Sequence, residues 1–598
     1  MNAKTLAARF AAVLMAVLTA VPVFPAERAV ELEGYDQLVQ GMVDTWEVPG
    51  LAIAIVKDGQ VVYEKGFGYR DVEKKVPVTP DTLFAIGSAT KAFTTFVMGT
   101  LVDEGKLDWD KPVTTFLPGF RLRDRVATEQ LTPRDMVTHR SGLPRHDLSW
   151  YNATELSRKE LVERLPYMEA TYPLRSRWQY NNFMFLTAGY LVEQVTGKSW
   201  EDNVRERIFD PLGMTNSNFS VEDSQKAADF ALPYREDDDE KIELIPFRVI
   251  TNIGPAGSIN SSARDMAKWV QIHLAKGKIG DRQIIGPATL IDIHSPHMVI
   301  TATPERAEIS QGAYGLAWFI DTYRGHQRVH HGGNIDGFSA LVSLLPNDNL
   351  GMVILTNRNG TEVPELLVRH TVDRLLKLDP IDWNGEALGK RDIAEAADKE
   401  AEAKKETARK PGTKPAHKLE DYAGDYAHPG YSPLKVEVDG TRLKLTYNHL
   451  STPLEHWHYE TWTGAKGGDH PTFEDRKFLF ETDVAGNVVA VRAPFEVSLK
   501  DGITFTKKPD SRLSDPAYLS RFVGDYELAG ETASIQLAGN VLTVNFPGTS
   551  QFHLVPEVNG EFSVKEASNL RVRFEEEGGK ATAMTVMQPN GVFTAKRK

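Results

Sequence analysis

A serine and a lysine three residues apart are the first side chains in this sequence that could act together as a nucleophile and its base. Ser88 and Lys91 lie where a loop enters an apolar helical pattern, so their side chains share one face of the helix. A serine hydroxyl alone is a poor nucleophile, whereas a lysine in a partly desolvated pocket can lose its proton and activate it. A serine that caps the helix beside a solvated lysine would show the same spacing, so the pair alone leaves both interpretations open.

Tyr180 and Asn182 form a second candidate segment, placed just before a helical pattern that starts near Phe183. A tyrosine there could relay a proton, and the asparagine amide could hold a substrate carbonyl. The two residues are equally compatible with an ordinary helix start. The segment therefore gains weight only in combination with Ser88 and Lys91.

A third segment places histidines and glycines directly before a predicted strand. His331, Gly333 and Asn334 precede the apolar run Leu341–Leu345. Glycine leaves room for another backbone to lie against the edge of a strand, which a bound substrate would need. A simple turn before the strand would explain the same residues, so this segment too depends on the other two.

In this order and spacing, the three segments resemble the serine β-lactamase and penicillin-binding protein superfamily, whose motifs include S-x-x-K. The tyrosine and asparagine of the second segment are similar to the class C-like branch, which includes esterases and D-aminopeptidases. The resemblance covers roughly residues 35–375. It extends through three further segments, Thr138–Pro144, Pro211–Met214 and Pro255–Ser258.

The resemblance implies a role for each of these residues. Ser88 would be the acylated nucleophile, and Lys91 and Tyr180 would share proton transfer. The oxyanion would lie between the backbone N–H groups of Ser88 and Asn334. Asn182 would orient the scissile carbonyl, and His331 and Gly333 would line the strand side of the site. The residues implied in substrate binding are Asn182, His331, Gly333 and Asn334. No metal ligand and no cofactor is implied.

His331 departs from the resemblance, because β-lactamases usually have a lysine at this position. A histidine with an unperturbed pKa of about 6.5 is mostly neutral near pH 8 and offers little charge to a carboxylate. We therefore expect neutral esters, amides or free-amine substrates to be preferred over carboxylate-bearing ones at pH 8. The preference should weaken as His331 protonates towards pH 6.

The elements that must position these residues indicate one mixed domain from about residue 33 to 380. Leu51–Lys57 and Gln60–Phe67 flank an Asp-Gly turn, which predicts a hairpin. Leu341–Leu345 and Met352–Thr356 are strand-like, and helical patterns such as the one after Ser88 lie between the two pairs. Strands at both ends with helices between them predict an α+β fold with a largely antiparallel sheet.

Composition and charge restrict the partners of the chain. Its 598 residues carry 69 Lys and Arg against 82 Asp and Glu, a net charge of −13, which argues against nucleic acid as a main partner. The absence of cysteine excludes disulfides, thiolate metal sites and a cysteine nucleophile. Lys4 and Arg9 precede the apolar stretch Phe10–Phe24, which is short for a bilayer span, so residues 1–26 are predicted to be a signal peptide.

The C-terminal part contains an internal repeat. Tyr422–Tyr426 matches Phe522–Tyr526, and the alternating apolar positions of Val436–Tyr447 recur in Ile535–Phe546, about 100 residues later in both cases. Apolar–polar alternation between turn signals predicts antiparallel strands, here in two small β-barrels. A run rich in Ala, Glu and Lys before the first copy predicts a solvated helical linker.

The predicted organisation has five parts: a signal peptide (1–26), a β-lactamase-like hydrolase domain (33–380), a charged helical linker (381–417) and two β-barrel repeats (418–510 and 511–598). The predicted function is an exported serine hydrolase, periplasmic or secreted, that cleaves a small ester or amide, with D-amino-acid peptides among the candidates. Its partner would be a small-molecule or peptide substrate, and no integral membrane span is expected after signal removal. A β-lactamase or D-Ala carboxypeptidase, and a non-catalytic penicillin-binding-type sensor, are the alternatives. The oligomeric state is not predicted.

Overall fold

A nine-stranded antiparallel sheet forms the centre of the N-terminal domain. The computed structural model describes residues 30–598 except 238–240, 305, 406–407, 469, 529, 547 and 549–550, so the predicted signal peptide lies outside the described residues. The predicted hairpin turns at Asp58 and Gly59, whose positive φ angles of 53° and 78° suit a two-residue turn. In spatial order the strands are Met298–Val299, Ala313–Tyr314, Phe319–Tyr323, His326–Ile335, Phe338–Leu345, Leu350–Thr356, Gly50–Lys57, Gln60–Asp71 and Val76–Pro77.

The sheet is covered by helices on both faces, which explains its nearly continuous apolar strands. In Leu51–Val56, alternate side chains enter two separate cores. The odd-numbered residues pack with helices Tyr35–Thr45 and Val363–Leu375. The even-numbered residues share a core with helices Thr90–Asp103 and Ala263–Leu274. The two-residue period of a strand therefore decides which side chains point towards Ser88.

The remaining helices of this domain surround the Ser88 face or connect the strands. They are Arg125–Gln130, Pro133–Val137, Arg158–Glu163, Phe183–Thr196, Trp200–Val204, Asp210–Leu212, Val221–Ser224, Gly254–Gly257 and Pro287–Ile293. Three short ribbons lie outside the main sheet: Phe84–Ala85 with Asn260–Ser261, Tyr234–Glu236 with Ile242–Leu244, and Lys278–Ile279 with Arg282–Gln283. The prediction of an α+β fold with a largely antiparallel sheet is confirmed.

A long charged helix, Trp383–Lys405, follows the hydrolase domain. Its first residue anchors it, because Trp383 is buried and its Nε1 donates to Asp373 Oδ2 at 2.8 Å. Further along, Ile393 is 72% exposed, as the lack of an apolar stripe in this run requires. None of the described helices combines the length and apolarity needed to cross a bilayer.

Two closed antiparallel barrels of eight strands each form the C-terminal part, which confirms the prediction of two small all-β units. The strands of the first barrel are Gly424–Ala427, Leu434–Asp439, Arg442–Tyr447, Leu450–His458, Thr461–Gly464, Lys477–Thr482, Val488–Ala493 and Ile503–Lys507. The strands of the second barrel are Gly524–Leu528, Glu531–Ala538, Val541–Asn545, Phe552–Pro556, Phe562–Val564, Ala567–Glu577, Lys580–Gln588 and Gly591–Arg597. A one-turn helix precedes each barrel, Leu419–Tyr422 and Pro516–Leu519.

The repeated pentapeptide builds the same local structure at the start of both barrels. The hydroxyl of Tyr426 donates to the carbonyl of Tyr422 at 2.6 Å, and the hydroxyl of Tyr526 donates to the carbonyl of Phe522 at 2.8 Å. Both tyrosines are fully buried. A polar contact reproduced at equivalent positions supports duplication of one ancestral barrel more strongly than the apolar pattern alone.

Candidate active site

Ser88 lies in a short turn at the start of a deeply buried helix. The turn Gly87–Ala89 leads into helix Thr90–Asp103, whose residues from Thr90 to Leu101 are all buried. The N-cap of this helix is Ala89, so Ser88 does not cap it. Ser88 is half-buried, whereas Lys91 is 0% exposed. Ser88 is thus partly accessible, whereas the lysine beside it is fully buried.

Three oxygen atoms surround the Lys91 nitrogen. Nζ lies 3.0 Å from Ser88 Oγ, 2.8 Å from Asn182 Oδ1 and 2.8 Å from the carbonyl oxygen of Ala256. An uncharged amine has two N–H groups and one lone pair. The Asn182 and Ala256 oxygens can only accept, so they take the two N–H groups and leave the lone pair for the Ser88 hydroxyl. This geometry suits Lys91 as the base that removes the Ser88 proton.

The surroundings of Lys91 also favour its uncharged form. Burial holds the pKa of Lys91 well below its usual value, because the charged form has lost its water shell. The positive charge of Arg145 acts in the same direction, and the negative charge of Asp147 opposes it. A lysine with a lowered pKa can be a general base near neutral pH, which an ordinary surface lysine cannot.

Tyr180 lies beside both basic side chains of the site. Its ring centroid is 4.9 Å from Lys91 Nζ and 5.1 Å from Arg145 Cζ. Burial raises the pKa of Tyr180 above its usual value, although a hydrogen bond with Ser88 and the charge of Arg145 act against the rise. Tyr180 is therefore a neutral phenol at pH 7. It can donate a proton or a hydrogen bond but is not a resident tyrosinate base.

Both polar atoms of the Asn182 side-chain amide have hydrogen-bond partners within the protein. Oδ1 accepts from Lys91, and Nδ2 donates to Asp147 Oδ1 at 2.9 Å. One N–H of Nδ2 remains for a substrate carbonyl, so the predicted orienting role is compatible with this geometry. The neighbouring Asn181 anchors the segment, since its Nδ2 donates to the Leu143 carbonyl at 3.1 Å and its Oδ1 caps the next helix at Met184 N, 2.9 Å away.

The strand His326–Ile335 lies in backbone contact with the Ser88 turn. A β-carbon added to Gly333 would overlap the carbonyl oxygen of Ile86 and would lie 2.8 Å from Ser88 N. A β-carbon on Gly87, whose φ is 50°, would lie 2.9 Å from Asn334 N. Two glycines thus permit an approach that side chains would prevent.

The same approach brings together the two backbone groups predicted to hold the oxyanion. The amide nitrogens of Ser88 and Asn334 both border the contact between Gly87 and Gly333. The Asn334 side chain is fixed, since its Oδ1 accepts from Ser339 Oγ at 2.5 Å and from Gly360 N at 3.1 Å. The oxyanion role of the two amides stays a prediction that this geometry permits.

His331 belongs to this strand, and its side chain is buried rather than open to solvent. Only 2% of its surface is exposed, its Nδ1 donates to the Gly332 carbonyl at 2.5 Å, and its Nε2 accepts from the Tyr314 hydroxyl at 3.0 Å. Burial is the main cause that lowers the pKa of His331 to about 3. The expectation that His331 protonates towards pH 6 is therefore wrong, because desolvation keeps it neutral.

Three residues of the site were not singled out from the sequence. Arg145 and Asp147 follow the segment Thr138–Pro144 directly, and their charges two residues apart were the available signal. The His139 ring packs 4.2 Å from the Tyr180 ring, and its φ of 55° marks a left-handed backbone. Burial lowers the pKa of His139 well below its usual value, and no partner among the described residues reaches its Nε2. His139 therefore supports Tyr180 as a neutral ring.

Comparisons with known proteins agree with this geometry. A family model described as beta-lactamase matches residues 35–376. Residues 408–507, which include the first barrel, match a domain of unknown function (DUF3471).

Two similar relatives are fungal. Unguisins hydrolase ungD' of Aspergillus campestris (strain IBT 28561) is 33% identical over 433 residues, which are 69% of this chain and 79% of that protein. Unguisins hydrolase ungD of Aspergillus violaceofuscus (strain CBS 115571) is 29% identical over 453 residues, which are 70% and 79% of the two chains.

The octameric penicillin-binding protein homologue from Pyrococcus abyssi is similar in fold, with a TM-score of 0.54, 22% identity, and coverage of 87% of this chain and 99% of that chain.

Replacing Lys91 by arginine should be nearly as damaging as replacing it by alanine. A base must release and take up a proton, and arginine stays charged at every accessible pH. We expect both variants to lose roughly a hundred- to ten-thousandfold in acylation rate. The measurement is the pre-steady-state burst with a p-nitrophenyl ester. A Lys91→Arg variant within about tenfold of the wild type would show that Lys91 supplies charge rather than a lone pair.

Gly333→Ala should abolish turnover, whereas Gly332→Ala should be tolerated. The added methyl at position 333 overlaps the Ile86 carbonyl and pushes the strand away from Ser88, but at position 332 it meets nothing nearer than the Ala340 carbonyl at 3.4 Å. We expect a loss of at least about a hundredfold for Gly333→Ala, since a displacement of about 1 Å at a reacting centre has that effect. Rates for both variants, with thermal melts to compare stability, decide the matter. Equal rates would mean that the contact does not shape the site.

Proposed function

The chain belongs to the β-lactamase family, and we propose that it is an exported serine hydrolase that cleaves a small ester or amide through an acyl-enzyme on Ser88. The observation that carries the proposal is the dry Lys91 nitrogen, 3.0 Å from Ser88 Oγ with two pure acceptors on its other sides. The named relatives are hydrolases, which supports hydrolytic activity in this chain. Peptides of D-amino acids are among the candidate substrates.

The proposed reaction has two halves, acylation of Ser88 and hydrolysis of the acyl-enzyme, and the same residues act in both. Lys91 takes the Ser88 proton while Oγ attacks the carbonyl carbon, and the backbone N–H groups of Ser88 and Asn334 receive the oxyanion. Collapse of the tetrahedral intermediate breaks the bond to the leaving group, which takes a proton from Tyr180. Tyr180 recovers its proton from Lys91. A water molecule then repeats the sequence on the acyl-enzyme and releases the acid.

Two alternative functions differ from this proposal in the charge of the substrate and in turnover. A β-lactamase or a D-Ala carboxypeptidase reads the carboxylate of its substrate; His331, buried and neutral, supplies no charge for that at the strand, so the charge would have to come from Arg145. A penicillin-binding sensor would use the same Ser88–Lys91 pair to form its acyl-enzyme, so multiple turnover rather than labelling distinguishes an enzyme from a sensor. Export is proposed on the predicted signal peptide, residues 1–26, and N-terminal mass analysis of the periplasmic or secreted protein would test it.

Ser88→Ala should abolish turnover while leaving the fold intact. The alanine removes only the hydroxyl of a half-buried residue, so the thermal melt should change little, whereas loss of a nucleophile costs many powers of ten in rate. The measurement combines p-nitrophenyl ester and D-alanyl anilide turnover with a mass shift on the Ser88 peptide after fluorophosphonate labelling. A labelled wild type and an unlabelled, inactive variant are expected. Retention of more than about a tenth of the wild-type rate would overturn the assignment.

Arg145 offers the positive charge that His331 does not. Its side chain is 51% exposed, and its Nε donates to Asp147 Oδ2 at 2.5 Å. In the described part of the chain, no hydrogen bond uses its two Nη groups. We therefore propose that Arg145 presents these groups to a carboxylate or carbonyl of the substrate. This reverses the substrate preference expected from the sequence.

Arg145→Gln should selectively weaken carboxylate-bearing substrates. Loss of a charge-assisted hydrogen bond should lower the ratio of kcat/KM for a carboxylate ester to that for a matched neutral ester by about ten- to a hundredfold. Arg177→Gln is the control, because Arg177 is exposed and stacks on Tyr172 instead. In the wild type the ratio should stay flat from pH 5.5 to 9, since neither Arg145 nor His331, with a pKa of about 3, titrates there.

The same variant has a second readout. The Arg145 charge lowers the pKa of Lys91, so Arg145→Gln should move the acid limb of the kcat/KM profile to higher pH, because Lys91 must be neutral to react. If the wild-type ratio of kcat/KM for the carboxylate ester to that for the neutral ester changes with a midpoint near pH 6.5, a histidine rather than Arg145 recognises the charge. An unchanged ratio in Arg145→Gln would show that Arg145 does not contact the substrate.

A further inference from the structure

We propose that the first barrel is a positioning part of the active site, holding in place the loop that carries Asp147. The loop consists of residues 145–152 and is called the clamped loop below. The inference rests on the proposed function, since it concerns how the Ser88–Lys91 pair is kept in its reactive geometry. Catalysis at Ser88 would then depend on Glu496, which lies 350 positions from His146, the loop residue that it holds.

His146 is the central contact between the clamped loop and the barrel. It is completely buried, with a left-handed φ of 47°. Its backbone N–H donates to Glu496 Oε2 at 2.7 Å, and its Nδ1 lies 2.6 Å from the Tyr431 hydroxyl. Its Nε2 lies 2.9 Å from the carbonyl of Glu169, which can only accept, so the Nε2–H donates there and Nδ1 accepts from Tyr431. Both ring nitrogens of His146 therefore have a hydrogen-bond partner.

Glu496 is specialised for this contact. It is 3% exposed, and its other oxygen accepts from the Ser498 N–H at 2.9 Å. A buried carboxylate is costly unless its oxygens are hydrogen-bonded. Here one oxygen accepts from the barrel's own loop at Ser498, and the other accepts from the hydrolase domain at the backbone N–H of His146. A buried carboxylate of the barrel thus binds the backbone of the other domain.

The middle of the clamped loop enters the barrel itself. The Leu148 side chain belongs to the barrel's apolar core, and its carbonyl accepts from the Tyr447 hydroxyl at 2.9 Å and from Asn448 Nδ2 at 3.0 Å. Asn448 Nδ2 also donates to the Tyr151 carbonyl at 2.8 Å, and Asn152 Nδ2 donates to the Asn448 carbonyl at 2.5 Å. Tyr447 and Asn448 at one strand end of the barrel therefore hold the loop at Leu148, Tyr151 and Asn152, in addition to the contacts of His146.

On its opposite side the clamped loop contacts the catalytic centre. Asp147 Oδ1 accepts from Asn182 Nδ2 at 2.9 Å and from Trp150 Nε1 at 3.0 Å. Asn182 in turn accepts from Lys91 through Oδ1. An amide held at both ends cannot rotate, so the Asp147 carboxylate determines which atom of Asn182 faces Lys91. The barrel thus holds the loop at His146 and Leu148 on either side of Asp147, and hydrogen bonds continue from Asp147 through Asn182 to Lys91.

The test uses the full chain and two variants that loosen the clamp without touching the catalytic residues. Tyr431→Phe removes the hydroxyl that donates to His146 Nδ1. Glu496→Met removes the carboxylate oxygen that accepts from the His146 backbone N–H. We expect kcat for a p-nitrophenyl ester to fall about three- to thirtyfold in each, with a smaller change in KM. Glu496→Gln keeps an acceptor oxygen for the His146 N–H but turns its amide nitrogen towards the Ser498 N–H, so it should recover part of the rate.

Tyr526→Phe in the second barrel is the matched control. It removes the hydroxyl of an equally buried, hydrogen-bonded tyrosine that has no contact with the clamped loop. A comparable drop in melting temperature with unchanged kcat is expected there. If Tyr526→Phe slows turnover as much as Tyr431→Phe, the effect is general destabilisation and the proposal fails. Should Glu496→Met not fold, Tyr431→Phe alone decides.

A double-mutant cycle locates the path of the effect. If the barrel acts through Asp147, the combination of Tyr431→Phe with Asp147→Ala should be no slower than Asp147→Ala alone. Additive losses would overturn the proposed path. The rate of Ser88 labelling by a fluorophosphonate separates the two levels of the argument. No labelling of the wild type at Ser88 means that the proposed function fails. Equal labelling rates in the wild type and Tyr431→Phe mean that the positioning role fails.

Discussion

Burying the Lys91 amine is the constraint on which the rest of the hydrolase domain depends. A charged amine without water costs several kcal/mol, so the site must offer hydrogen-bond acceptors and must favour the neutral form. Its two acceptors, Asn182 and Ala256, come from distant parts of the chain, and its lone pair faces the nearby Ser88 hydroxyl. The buried helix, the segment before Phe183 and the short helix Gly254–Gly257 must therefore meet at one nitrogen atom. Their meeting defines the core on the Ser88 face of the sheet.

The parts of this arrangement that could be predicted are those with a local signal. Ser88 and Lys91 are three residues apart, the hairpin has an Asp-Gly turn, and the barrels repeat their first pentapeptide, so each was evident from neighbouring residues. The neutrality of His331 had no such signal, because it results from burial of the imidazole in the folded domain. Glu496 was beyond reach for the same reason: its partner His146 is 350 residues earlier. Long-range packing sets these properties, and residue types do not record it.

Domain boundaries and functional boundaries differ in this molecule. The apolar core of the first barrel includes Leu148, a residue of the hydrolase domain, and the clamped loop carries the Asp147 that fixes Asn182. The family match at residues 35–376 stops before any of the barrel residues that hold this loop. A chain segment recognised as one domain can thus depend on another for the geometry of its polar groups, although its own core is complete.

Two adjacent barrels of common origin also create a hazard during folding, since equivalent strands of tandem repeats can exchange. The copies have diverged in a way that opposes this exchange. The fourth strand has nine residues in the first barrel and five in the second, and the sixth has six and eleven. A strand transferred to the wrong barrel would leave backbone groups unpaired at one end or overhang at the other. Unequal strand lengths therefore disfavour the exchange of strands between the two barrels.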